Sequence, residues 1–148
     1  MPKPITAAIV IFSSLTLAAC SAEFPWVGSK KMTVGDTTIA VEIADTPAKR
    51  TQGLSGRDNL SADQGMLFLF ESKDYWEFWM KQMKFPIDII WISGDTVAGV
   101  TENIPPPTQG VPLTIYRPPE PVDKVLEVRA GFVYLNHISL GTHVELPQ

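Results

Sequence analysis

The 148-residue sequence contains one cysteine, two histidines and fewer basic than acidic side chains, 12 against 16. Each scarcity excludes something. A single cysteine cannot close an intramolecular disulfide, and no Cys/His cluster exists for structural zinc, so no metal and no cofactor is expected. The net charge of −4 offers no basic surface to a phosphate backbone, which removes nucleic acid from the expected partners. The length fits one domain and not two. A 45% hydrophobic and 19% charged composition fits a folded chain and excludes global disorder.

What is present begins at the amino terminus. Lys3 precedes a mostly apolar run over residues 5–15, and Leu17-Ala18-Ala19-Cys20 follows. This is the layout of a secretory signal, with an apolar run too short to span a bilayer as a stable helix. The Leu-Ala-Ala-Cys tail resembles the lipobox of bacterial lipoproteins. The resemblance implies cleavage before Cys20, diacylglycerol on its sulfur and acylation of its new amino group. Cys20 is then the lipid-attachment residue and the lipid bilayer a partner. Several acyl chains, at about 0.8 kcal/mol per buried CH₂, anchor firmly where one would be marginal. Ser21, where an Asp would retain the protein, favours the outer membrane by resemblance to enterobacterial sorting. Residues 1–19 are expected to be the signal peptide, 20–31 a lipidated tether and 32–148 a single β-rich domain.

Within that domain, Gly35-Asp36 separates Met32 and Val34 from an alternating run through Ile39, Val41 and Ile43, which predicts a hairpin. Thr46-Pro47 supplies an N-cap and a first helical residue, and Gly53 can end the short helix that follows. Residues 65–70 are continuously apolar and read as a strand buried on both faces. Residues 75–81 are dense in aromatics and read as a strand. Residues 87–92 are another, in which Asp88 is the one charge and must be paired or hydrogen-bonded. Ser93-Gly94-Asp95 turns that strand into residues 96–100. Seven of the 13 prolines fall between residues 105 and 121, a stiff loop with neither helix nor central strand. Residues 122–128 resume as strand, 131–138 form a short helix ending by Gly141, and 142–146 close the sheet. The order predicts an α+β fold of mostly antiparallel strands, a small barrel-like or sandwich domain with two short helices.

Arg50, Gly53-Leu54, Gly56-Arg57, Gly65-Met66-Leu67-Phe68 with Phe70, Phe78-Trp79-Met80-Lys81, Pro86-Ile87-Asp88-Ile89 and Val125-Leu126-Glu127 occur in an order that resembles the bacterial and archaeal domain-of-unknown-function family 192. The resemblance spans residues 32–146 and implies a compact β-rich domain, often exported, with no catalytic mechanism to transfer. Gln82-Met83 departs from the usual Asn-Thr of the family, and Thr142 from its frequent Asp.

For chemistry, His137 and His143 accompany no nucleophile-elbow motif, and their separation of six residues is unlike the i,i+4 pair of a helical zinc site. No catalytic residue is assigned. The candidate ligand-binding residues are Arg50, Arg57, Trp79, Lys81, Asp88, Tyr116 and Glu127. Guanidinium forks hold carboxylate or phosphate, and flat rings such as Trp76, Trp79 and Tyr116 stack on sugars or other rings, so the expected ligand is a small anion or a sugar. The competing reading places the tryptophans in the core and the arginines on helix and loop carbonyls. The expectation is a non-catalytic ligand- or partner-binding module of the bacterial cell envelope. Its alternatives are an enzyme acting on glycans through Asp88 and Glu127 as a carboxylate pair, and a structural or scaffolding envelope protein using the proline-rich loop as contact surface.

Overall fold

The chain enters its sheet through the hairpin that the Gly35-Asp36 turn dictates. In the computed structural model, which describes residues 28–147, β1 (Lys30–Val34) pairs antiparallel with β2 (Thr37–Ala44). The signal peptide, Cys20 and all but the end of the expected tether lie outside the described residues. The ladder begins at Lys30, two residues before the expected domain start, because Lys30 and Lys31 pair with Val41 and Ala40.

Helix α1 (Pro47–Gln52) follows as expected: the Thr46 hydroxyl accepts the Lys49 N–H at 3.3 Å, and Gly53 caps the other end at φ 50. It is the crossover between β2 and β3 (Gln64–Asp74), which lie side by side in parallel, the one parallel pair among the described strands. After β3 come β4 (Phe78–Trp79), β5 (Ile87–Ser93), β6 (Thr96–Ile104), β7 (Ile115–Tyr116), β8 (Val122–Arg129), α2 (Phe132–Leu135) and β9 (Val144–Glu145). The main sheet has the order β6-β5-β8-β3-β2-β1-β9, and β4 and β7 form a separate ribbon. The sheet curls into a half-barrel. Its two margins are stitched by residues 141–144, where Val97 N donates to Thr142 O, Val144 N to Asp95 O and Gly35 N to His143 O, all at 2.8–2.9 Å.

The middle of β3 and nearly all of β5 are buried on both faces, so Met66–Phe70 is a continuous apolar run and β5 is apolar except for Asp88 and its terminal Ser93, while β8 buries Val125–Val128 between charged ends. One face, closed by α2, collects Met32, Val41, Leu67, Ile90, Leu126, Val128, Phe132 and Val133. The opposite face collects Leu54, Met66, Phe68, Phe78, Met83, Ile89, Trp91 and Val125. Gly65 lets β3 and β8 approach closely, since a Cβ there would lie 2.9 Å from the Glu127 carbonyl oxygen.

Asp88 sits on the α2 face, fully buried, and has the partners that burial demands. Its Oδ1 accepts from Asn103 N at 2.7 Å and its Oδ2 from Val133 N at 3.0 Å, tying the start of α2 to an irregularity in β6.

Two elements differ from the sequence expectation. Residues 75–81 keep the period of two, with Trp76, Phe78 and Met80 turned inward between exposed neighbours, yet only Phe78 and Trp79 enter a ladder. This segment crosses over the sheet instead of joining it, and its backbone partner is β7, two residues inside the proline-rich loop. Helix α2 is only one turn long and ends at Asn136, well before Gly141, because His137 adopts φ 54. The proline-rich loop is pinned at its far end, where Pro118 is buried and Pro119 packs so close to Gly99 that a Cβ there would meet its Cγ at 2.7 Å.

Candidate functional site

On the face opposite α2, a cavity of about 290 Å³ opens between α1 with its following turn, β3, the crossing segment and β8. Each side contributes for a local reason. The helix and its Gly53 turn bring Arg50, Thr51, Leu54 and Ser55 to one rim. Strand β3 supplies Phe68 and Phe70, two residues apart and therefore on one face. The crossing segment supplies Trp76, Glu77, Phe78 and Trp79, and β8 supplies Glu127. Phe70 and Trp76 stack at 4.1 Å with 12° between planes, and Phe78 meets Phe68 edge-on at 5.0 Å. The Arg50 guanidinium lies 5.2 Å from the Phe70 ring centroid and donates Nη1–H to the Leu69 carbonyl at 2.7 Å.

Glu127 is the decisive group. It is 6% exposed, and its Oε2 has no hydrogen-bond partner. Glu42, Met66 and Glu127 occupy one row across β2, β3 and β8. Arg57 holds Glu42 in this row with its guanidinium fork, Nη1 to Oε1 at 3.0 Å and Nη2 to Oε2 at 2.5 Å, and its charge also acts on Glu127. Burial pushes the Glu127 carboxyl up to about 8, and the pull of Arg57 in the other direction is too weak to cancel that. At neutral pH the cavity floor therefore carries an uncharged carboxylic acid. The indole Nε1–H of Trp76 is a second buried polar atom without a partner. Two such atoms on residues lining one cavity, where buried polar groups are otherwise satisfied, mark the site.

Among the residues singled out in the sequence, Arg50, Trp79 and Glu127 line this cavity. Arg57 stands behind Glu127, and Tyr116 packs against the same apolar cluster from β7, opposite Phe78. Lys81 lies outside the lining, in an exposed turn whose carbonyl accepts the Ser55 hydroxyl at 2.8 Å. Asp88 is not brought to the site. Ile89 is opposite Glu127 and Asp88 opposite Val128, and this one-residue offset sends the two carboxyls to opposite faces of the sheet. They cannot flank one glycosidic bond. Phe70 and Met83 line the cavity without having been singled out; their signal was only that of core residues. Gln82 has φ 58, a conformation in which the shorter Asn is favoured, and Thr142 Oγ1 accepts the Ser139 N–H at 3.0 Å, so the two family departures fall in turns. Among the described residues no group of three or more His, Cys, Asp or Glu is placed to hold a metal ion.

The model of the DUF192 family, described as "Uncharacterized ACR", matches residues 30–146. The chain belongs to the DUF192 family. Similar solved structures include two crystal structures. One is a Novosphingobium aromaticivorans DSM 12444 protein of unknown function, 30% identical, with a TM-score of 0.75 over 87% of this chain and 94% of that one. The other is a Sinorhizobium meliloti 1021 protein described as a candidate transcription regulator, 31% identical, with a TM-score of 0.72 over 79% of this chain and 92% of that one. No curated protein matches the chain. The DUF192 assignment thus fixes the family and the fold and leaves the cavity to be read from its own chemistry.

The cavity floor has a measurable thermodynamic consequence. Because the folded state holds the Glu127 proton to about pH 8 while an unfolded glutamate loses it near 4.5, the native state binds more protons in that window and stability falls as pH rises through it. The slope approaches about 1.4 kcal/mol per pH unit. Asp45 and Asp58, held below the usual range by hydrogen bonds from Lys49 and Lys84, act only at lower pH. Urea unfolding of the wild type from pH 5.5 to 7.5 should show this decline, and Glu127→Gln should remove it. Equal slopes for the two proteins would contradict the assignment.

Proposed function

We propose that this DUF192 chain is a non-catalytic small-ligand-binding module held at a bacterial membrane through acylated Cys20. The observation that carries the binding half is the pair of unpartnered buried polar atoms, Glu127 Oε2 and Trp76 Nε1, on two residues that line one aromatic-walled cavity. Natural folds leave few such atoms unsatisfied, and each costs about 1–3 kcal/mol, which a ligand bearing matching groups would offset. The site has the mix of apolar walls and few polar groups that small-molecule pockets share. The anchoring half rests on the Leu17-Ala18-Ala19-Cys20 sequence and places the domain in the cell envelope, at the outer membrane facing the periplasm if two membranes are present.

A glycan-cleaving role through Asp88 and Glu127 has no support, since the two face away from each other. The regulator description of the Sinorhizobium protein is not carried over, because a net charge of −4 works against a duplex partner. A second reading, a contact module, is favoured by one observation: Tyr134, Leu135 and Leu140 on and after α2 are more than 70% exposed.

Two measurements test the two halves. Cys20→Ala should move the protein from the membrane to the soluble fraction, and continued fractionation with lipid would count against acylation. In a thermal-shift screen of envelope metabolites, a ligand at 100 times its Kd adds about 2.7 kcal/mol, raising Tm by roughly 8 °C or more. If no compound shifts the wild type, the binding reading fails and the contact reading takes its place.

A further inference from the structure

The hydrogen-bonding groups around the cavity are unevenly divided between donors and acceptors. Trp76 Nε1–H can only donate. Arg50 is permanently cationic and spends Nη1 on the Leu69 carbonyl, and no other hydrogen bond of its guanidinium is formed among the described residues. Of the acids near it, Asp45 feels its charge but is bonded to Lys49, and Glu77 at the rim is paired with Arg117. The Ser55 hydroxyl donates to the Lys81 carbonyl. Glu127 completes the set, an acid kept in its proton-bearing form by its apolar surroundings, so that it too offers an O–H. The cavity thus presents donors and a guanidinium with hydrogen-bonding capacity to spare between flat aromatic walls.

This pattern selects among ligand classes. An ammonium ligand meets Arg50 and finds no free carboxylate. A sugar needs acceptors for its hydroxyl protons, and the carboxylates nearby are occupied. A compact planar anion finds a guanidinium, an indole N–H and an acid proton for its oxygens, and rings for its body. The volume of about 290 Å³ lies at the small end for ligand pockets and suits a small ligand or a single ring.

Resting on the ligand-binding reading above, we propose that the cavity takes a small planar carboxylate, an aromatic or conjugated monoacid. Arg50 and the Trp76 N–H receive its carboxylate, and Glu127 shares a proton with it. Phe68, Phe78 and Met83 contact the ring. Loss of the Glu127 proton would place two negative charges together and expel the ligand. The charged groups around Glu127 that set this are Arg57 from the turn after α1, Glu42 behind it on β2, Arg50 on α1, and the Glu77–Arg117 pair at the mouth.

The test uses the purified full chain in detergent micelles and three probes of one shape and different charge: benzoate, benzamide and benzylammonium, titrated calorimetrically. Benzoate should bind at least about tenfold tighter than either of the others at pH 6.5. Its affinity should drop about tenfold or more between pH 7 and pH 9.5, and Glu127→Gln, which keeps a donor and cannot ionise, should flatten that profile. Trp76→Phe, which removes only the N–H and part of the ring, should weaken benzoate more than benzamide, as should Arg50→Met. Benzamide or benzylammonium binding as tightly as benzoate, or a benzoate affinity independent of pH in the wild type, would overturn the carboxylate assignment while leaving ligand binding intact. Silence from all three probes also overturns it, and a hit of another class in the metabolite screen would then show that the cavity binds something else. The wild-type pH profile needs no variant to fold, so instability of a mutant cannot shield the proposal.

Discussion

The structure turns on a carboxyl group held almost wholly out of water. Glu127 projects from strand β8 onto an apolar face, and the guanidinium whose charge acts on it, Arg57, is bonded to Glu42. In such surroundings the charged form is the costly one, so the group keeps its proton to about pH 8 and becomes a neutral donor. Around it the fold arranges everything that keeps the site dry: Gly65 draws β3 tightly against β8, Phe68 and Phe70 rise from β3, and the crossing segment lays Trp76 and Phe78 over them.

The second buried acid shows that the first is not a general habit of the fold. Asp88 is more deeply buried than Glu127, yet both of its oxygens accept backbone N–H groups and it serves as a fastener between β5, β6 and α2. One strand apart and one residue out of register, the two acids divide the work of the sheet, one face carrying the fold and the other the cavity. The lid of that cavity is in turn held from outside, through the β4–β7 ribbon, the Arg117–Glu77 pair and the Pro119 contact at Gly99. The proline-rich loop thus serves as a stiff brace behind the aromatic wall.

Much of this was legible in the sequence where the signal is local. Thr46-Pro47 and Gly53 bound the first helix, Gly35-Asp36 and Gly94-Asp95 bound the hairpins, the continuous apolar run at β3 announced a strand covered on both sides, and the run at β5 announced a strand with one buried acid. The demand that Asp88 find partners was also visible, but not their identity, since Asn103 and Val133 are 15 and 45 residues away and contribute only backbone. The site was half legible. Arg50, Trp79 and Glu127 stood out by type, whereas the exclusion of Asp88 and the inclusion of Phe70 and Met83 depend on strand register, which periodicity alone does not set. The crossing segment misled for a related reason: its alternation is real, but burial against a sheet produces the same period as pairing within one.

The most direct measurement is the titration of Glu127 itself, by carboxyl ¹³C NMR of the glutamate-labelled chain with Glu127→Gln to assign the resonance. A midpoint of about 8 is the predicted result. A midpoint near the ordinary 4.5 would mean that the carboxyl is solvated or paired in solution, and the account of the cavity as a dry, donor-lined anion site would be wrong.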